Sequence, residues 1–577
     1  MQFRHLALVT AASLAAALPA TAARADTAEY FRARIAQSAA PTLLSPADRE
    51  FYREIFRLID REQWVDVESR LNSRSGGPLH DVARAEYYLH ANSPQIALPA
   101  IEALLETGRY LPQAEQLSNL ALKRGATSLP SLPQASSLVP QPYASKRVNP
   151  RSINDGTLPE EIRAGILDRI KNDDPDGARQ LLDGIDSGLS SSARAEWRRR
   201  VAWSYYIEND DRAALGMAQT VREGSGPWVA EGDWVVGLAA WRLGDCDLAA
   251  SGFERAALGS TDPELTAAAR YWASRSYIRC RFPERAAEQL RAAAVYDETL
   301  YGMLAREQLG QQLAQTHSEA DFSNDDWKRL DDEQNVRVAI QLAEIGRSAL
   351  ADEVLRHQAR IGNPRDYDAL SRLARDLGLP STQLWMAHNA PRGARSQPVL
   401  RYPAPKWTPV SGWEVDPALA YAHALQESNF RAAVVSPAGA KGLMQIMPIA
   451  AREHASSLNM DARYANLADP EVNLAFGQRA LQQLNTSRAT QGKLPKIMAA
   501  YNAGLTPVTR WESEIRDQDD PLLYIESIPY WETRGYVGIV MRNYWMYERQ
   551  AGSASPSRQA MAQGEWPKFP ETPRGGR

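Results

Sequence analysis

Four short segments set an acidic residue beside small residues at nearly equal intervals, and this periodicity constrains the fold more than any other feature of the chain. They are Asp176-Gly177-Ala178-Arg179, Asp211-Arg212-Ala213-Ala214, Asp247-Leu248-Ala249-Ala250 and Glu284-Arg285-Ala286-Ala287. The alanines at 178, 213, 249 and 286 recur every 35 to 37 positions, the period of helix-pair repeats. A side chain no larger than a methyl lets paired helices approach closely. Such a pair cannot bury its apolar face alone, so neighbours must stack and a helical solenoid follows. The surrounding residues 26–365 are rich in Ala, Leu, Arg and Glu with little β-branched patterning, which predicts helix almost throughout.

With 577 residues the chain exceeds what one compact core supports. Residues 126–157 are rich in Pro and Ser and break the helical pattern, which predicts an irregular insertion in the arm. A second break runs from Asn389 to Pro409 and contains Pro391, Pro398, Pro403 and Pro405. The expected division is an arm at 26–365, a linker at 366–404, a second helical domain at 405–550 and a disordered tail at 551–577. The fold class is all-α.

Residues 1–25 read as a secretory leader. Arg4 and His5 precede an apolar run from Leu6 to Leu18, and Ala23-Arg24-Ala25 suits a cleavage site. No cysteine follows to carry a lipid. The leader holds two arginines and no acid, so its removal shifts the formal charge from −4 to −6. That balance argues against a nucleic-acid partner. In an exported chain the cysteines Cys246 and Cys280 are expected to form a disulfide, the alternative being two small buried apolar residues. The eight histidines are scattered, so neither a metal nor a cofactor is expected.

One carboxylate stands out. Asp416 is a good N-cap and Pro417 suits the first helical position. Ala418, Leu419, Ala422 and Leu425 follow at helical spacing, so Glu427 falls about three turns in. His423 precedes it by one turn. A carboxyl against apolar walls holds its proton to higher pH, as general-acid cleavage of a glycosidic bond requires. The competing reading is a solvated glutamate on a surface helix. Beyond it, Gly439 and Gly442 mark a turn that needs positive φ or close backbone approach.

The order Glu427-Ser428-x-Phe430, Ser436, Gly439-Ala440-x-Gly442-Leu443-Met444-Gln445 and Pro448 resembles the signature of the soluble lytic murein transglycosylase family. Asp469-Pro470-Glu471-Val472-Asn473 with Gly477, then Ala499-Ala500-Tyr501-Asn502-Ala503-Gly504, then Glu526-Ser527-Ile528-Pro529-Tyr530-Trp531-Glu532-Thr533-Arg534-Gly535-Tyr536-Val537 continue the likeness in order. It extends from Tyr402 to Tyr547. Trp531 departs from the small or asparagine-like residue expected there.

The resemblance implies a superhelical arm followed by a lysozyme-like domain that acts on the glycan strands of peptidoglycan in the periplasm. Glu427 would be the catalytic acid, then base. Ser428, Ser436, Met444, Gln445, Tyr501 and Glu532 would contact substrate. Tyr501 could instead only pack, and Glu532 could instead serve the helix dipole of its first turn. Glu512, Glu514 and Glu526 are further acids without an assigned partner. The family's chemistry implies cleavage between N-acetylmuramic acid and N-acetylglucosamine with 1,6-anhydro ends, using one carboxyl where most glycosidases use two. A hydrolytic muramidase and a non-catalytic scaffold remain the alternatives. The arm would guide glycan strands or bind cell-wall proteins along its concave face, and the chain is expected to be a monomer.

Overall fold

The computed structural model describes residues 27–36, 38–313, 321–394 and 398–570. The leader therefore lies outside the described residues, as do 571–577. Helices dominate, and the described strands are Leu138–Pro140 and Asn389–Pro391, paired antiparallel with Val139 opposite Ala390. The Pro/Ser-rich segment 126–157 is non-helical apart from this pairing, so the two irregular stretches of the chain meet each other.

The repeats are helix pairs: Glu160–Lys171 with Pro175–Asp183, Ser191–Ile207 with Asp211–Thr220, Trp228–Leu243 with Cys246–Gly259, and Pro263–Arg279 with Pro283–Ala294. Asp174, Asp210 and Asp245 cap the second helices of the first three pairs by accepting backbone N–H bonds, one or two residues before the acids seen in the repeat. Ala178, Ala249 and Ala286 are buried where helices cross. The tightest crossing is at Gly237 and Gly252, where a Cβ on Gly237 would lie 2.4 Å from the Phe253 ring. Cys246 and Cys280 are bonded to each other, with Cα atoms 5.6 Å apart. The bridge ties the start of one repeat helix to the end of the next.

Buried apolar side chains form two large clusters. One contains the repeats from Ile166 to Leu313 together with the C-terminal domain. The other unites residues 44–121 with 322–390, the two ends of the arm. Glu344 fastens this closure by accepting from Leu43 N at 2.6 Å and Arg49 Nε at 3.0 Å. The arm thus closes on itself rather than running as one open solenoid.

Two expected boundaries are corrected. The segment 366–404 is no linker, because helices Tyr367–Asp376 and Pro380–His388 bury Leu370, Leu373 and Met386 in the second cluster. Only from Asn389 onward does the proline-rich break begin. Residues 551–570 of the expected tail are ordered. Helix Pro556–Ala562 buries Met561, the Trp545 indole donates to Ser557 Oγ at 2.9 Å, and Leu494 N donates to Pro567 O at 2.8 Å. Among the described residues no helix is long and apolar enough to cross a membrane.

Candidate active site

Helix Pro417–Ser428 forms as its sequence predicts. Asp416 caps it by accepting from Ala418 N, proline occupies the first turn, and Pro417 through Leu425 are buried. Asn429 ends it in the left-handed region at φ 51°, and Phe430 follows at φ 58°. This sharp reversal sends the Phe430 ring back into the core, 6.2 Å from Tyr421. Glu427 stands in the last turn, half-buried, just before the chain turns away.

Burial pushes the Glu427 carboxyl up to about 7, and the nearby charge of Glu532 adds to the rise. A hydrogen bond opposes it: the Tyr536 hydroxyl donates to Glu427 Oε1 at 2.6 Å. Tyr536 is buried on helix Trp531–Gln550, and burial beside Glu427 keeps its phenol protonated far above neutral pH. It is therefore a fixed donor.

Tyr501, the expected orienting phenol, is bonded elsewhere. Its hydroxyl donates to Met444 O at 2.8 Å, while its ring packs 4.9 Å from that of His423. His423 is fully buried and pushed down to about 4, so it is neutral at pH 7. Leu419 O lies 2.9 Å from Nδ1 and can only accept, which assigns the proton to Nδ1. Nε2 is buried without a partner among the described residues. The uncharged ring adds no positive charge beside Glu427.

The glycine-rich turn owes its sequence to one buried amide. Asn473, on helix Pro470–Thr486, accepts from Met444 N at 2.8 Å and donates to Lys441 O and Leu467 O, each at 2.9 Å. A Cβ on Gly442 would lie 2.2 Å from both Asn473 Nδ2 and Leu467 O, and φ is +77°. Glycine is required there on both counts. Gly477 makes room for the Met444 side chain, since a Cβ would fall 2.1 Å from Met444 Sδ.

Several of the expected substrate contacts bond within the protein. Ser428 Oγ is buried and donates to Ala424 O at 3.0 Å. Ser436 Oγ accepts from Ala440 N at 3.0 Å and shapes the turn. The Met444 side chain is fully buried. Gln445 donates to Gly442 O at 2.9 Å. Glu532 is exposed and close enough for its charge to act on Glu427, and the neighbouring Thr533 donates to Asn502 Oδ1 at 2.6 Å.

The remaining acids are engaged away from Glu427. Glu526 accepts from Tyr301 at 2.7 Å and pairs with Arg147, in a joint between arm and domain that also holds Glu231 and Arg199. Glu512 pairs with Lys496, and Glu514 with Arg510. Ser527 accepts from Arg242 at 2.7 Å in the same joint. Sequence reasoning missed Tyr536 as the hydrogen-bond partner of Glu427. Its position in the Arg534-Gly535-Tyr536-Val537 run was visible, but nothing local distinguishes a buried donor from a packing tyrosine.

Residues 409–523 match the transglycosylase SLT domain family. The chain is 36% identical over 162 residues to the soluble lytic murein transglycosylase of Escherichia coli K12, which covers 27% of this chain and 24% of that protein. It is 33% identical over 147 residues to the putative soluble lytic murein transglycosylase of Haemophilus influenzae, covering 25% and 24%. These alignments span about a quarter of the length of the curated relatives. The fold is similar to that of the E. coli 70-kDa soluble lytic transglycosylase, with TM-score 0.53, 16% identity and coverage of 90% and 99% of the two chains. For the complex of the 70-kDa soluble lytic transglycosylase with bulgecin A the TM-score is 0.59, at 17% identity and 91% and 100% coverage. The all-α architecture of arm and lysozyme-like domain is thus shared along nearly the whole chain.

Proposed function

We propose that this chain, whose residues 409–523 belong to the transglycosylase SLT domain family, is a peptidoglycan lytic transglycosylase. It would cleave the β-1,4 bond between N-acetylmuramic acid and N-acetylglucosamine and leave 1,6-anhydromuramoyl ends. The observation that carries this reading is the Glu427 carboxyl, half-buried in the last turn of its helix, raised to about 7 and accepting from the Tyr536 phenol. A group with that pKa can hold a proton and give it up near neutral pH, which suits one residue acting in both directions.

Glu427 first donates its proton to the glycosidic oxygen as the C1–O bond breaks, while the muramoyl acetamido oxygen stabilises the cation. The Glu427 carboxylate then takes the proton of the muramoyl C6 hydroxyl, and that oxygen bonds to C1. The first proton leaves on the freed N-acetylglucosamine hydroxyl, the C6 proton restores the Glu427 acid, and no water is consumed. Tyr536 stays a donor throughout and stabilises the carboxylate form between the two steps. Glu532, exposed near the acid, and the half-buried Gln445 and Tyr501 are the candidates for substrate contact. Ser428, Ser436 and Met444 are proposed to hold the site's shape.

The leader read at 1–25 supports a periplasmic location. The closed arm, fastened to the domain through Glu526 and Ser527, is proposed to restrict how a glycan strand reaches Glu427. The test is Glu427→Gln, which keeps the shape and removes the transferable proton. Release of soluble fragments from purified peptidoglycan should fall by ~10²–10⁴-fold or more. Retention of turnover within about tenfold, well short of that range, would reject the assignment.

A further inference from the structure

We propose that the amino-terminal helix Thr27–Ala36 braces the helix that carries Glu427, with Thr27 and Phe31 as positioning residues for the reaction. The two helices lie almost 400 residues apart in the chain yet share one core.

The brace acts at two points. The first is the N-cap. Thr27 Oγ1 donates to Asp416 Oδ1 at 2.6 Å, beside the bond from Ala418 N to the same oxygen at 2.9 Å, and Tyr544 donates to Oδ2 at 2.8 Å. Asp416 is buried, so these donors replace the water that an exposed cap would use. The second is the helix face. Phe31 is fully buried and meets Tyr421 edge-to-face at 5.0 Å and Tyr547 at 6.2 Å. Tyr421 stands on the Glu427 helix itself, and Tyr547 on the helix that supplies Tyr536. Phe31 therefore wedges between the two helices whose side chains form the Glu427–Tyr536 bond.

The other end of the segment is fixed to the arm. Asp376 accepts from Ser38 Oγ at 2.9 Å, Ala39 N at 3.2 Å and Ala40 N at 2.9 Å, and Arg34 pairs with Asp321 at 3.1 Å. Residues 27–36 thus meet the catalytic helix and residues 38–40 the closing helices of the arm. A helix of 12 residues is stiff, so a shift at its first turn moves Glu427 rather than being absorbed. Misplacing a reacting group by ~1 Å can cost ~10²-fold.

The proposal rests on Glu427 as the reacting acid, and its test separates the two ideas. In the full chain, Thr27→Val removes the hydroxyl at constant shape and Thr27→Ser keeps it. Amide exchange over residues 416–425 should quicken by about tenfold in the Val protein, the factor that one lost bond to a charged group allows, with the helix Trp228–Leu243 unchanged. The rate constant kcat on peptidoglycan should fall by about as much with KM within about twofold, and Thr27→Ser should restore both. Unchanged exchange at 416–425 in Thr27→Val, or a loss that Ser does not rescue, would overturn the brace. If the wild-type protein releases nothing from peptidoglycan, the catalytic reading fails while the exchange result still decides whether Thr27 holds the helix.

Discussion

The Tyr536 hydroxyl donates to Glu427 Oε1 across 2.6 Å, joining two residues 109 positions apart. Each shapes the other. Burial raises the carboxyl, the phenol limits that rise, and the carboxylate keeps the phenol from ionising. Tyr536→Phe removes the bond and leaves the ring. The Glu427 pKa should rise further, moving the alkaline limb of the pH–rate profile upward. The rate near the optimum should fall about ten- to a hundredfold, the worth of one charge-assisted hydrogen bond at ~1.5–3 kcal/mol. Steady-state kinetics across pH would show both, and an unmoved limb would remove Tyr536 from the site.

In the proposed mechanism the first step needs Glu427 protonated, so activity should also fall as pH rises through about 7. Stability carries the same signature. The folded pKa lies above the unfolded value of 4.5, so the folded state binds the proton more tightly between 4.5 and about 7. Below that window both states hold it, and above it the folded state bears a buried charge. Glu427→Gln should therefore raise Tm at pH 8 and leave it nearly unchanged at pH 4. Thermal melts at the two pH values test the sign.

Asn473→Ala should loosen the Met444 turn. Three hydrogen bonds are lost, and at ~0.5–1.5 kcal/mol each the expected loss is roughly 1.5–4.5 kcal/mol in denaturant unfolding. Because Tyr501 hangs from Met444 O, its ring should lose its fixed place beside His423. A variant as stable as the wild type would mean that the turn is held by other contacts.

Breaking the Cys246–Cys280 bridge with a pair of serines should destabilise the arm by about 2–4 kcal/mol, the usual range for a loop of this order. The bridge joins two arm helices away from the Glu427–Tyr536 pair in sequence and bonding, so kcat should be unchanged below the melting transition. Calorimetry of oxidised and reduced protein would measure the difference.

Much of this architecture was legible in the sequence because it is local. Asp416 and Pro417 announce a helix start within two residues, and the repeat alanines recur at a fixed interval. Glu427 could be placed near the end of its helix by counting turns. What escaped was non-local. Tyr536 reads as one more apolar position on an amphipathic helix until the fold sets it against Glu427. Gly442 and Asn473 looked like a loop residue and a helix residue, and only their contact explains both. The tail after Gln550 looked disordered from its Gly, Ser and Pro, yet Met561 and Trp566 find apolar partners supplied by other parts of the chain. Tyr367, Leu370 and Leu373 did carry helical spacing, which the nearby prolines masked.

Thr27 and Phe31 follow the same logic, and they change what a minimal domain must contain. A fragment covering only 401–550 lacks the amino-terminal helix and the ordered segment through residue 570, both packed into the domain's core. Burying a phenylalanine contributes about 1.5–3 kcal/mol, so the fragment should melt well below the full chain. Adding residues 551–570 and a peptide of residues 27–36 should recover part of the stability and activity. No recovery from either would mean that the arm supplies the missing support.

The most direct measurement is the mass of the fragments released from purified peptidoglycan by the wild-type protein, with Glu427→Gln as the control. Intramolecular closure by the muramoyl C6 hydroxyl should give anhydro ends, each lighter by one water than a hydrolysed end, and the Gln protein should release almost none. Fragments with reducing ends, or the same anhydro products from Glu427→Gln at a comparable rate, would contradict a lytic reaction run by this one carboxyl.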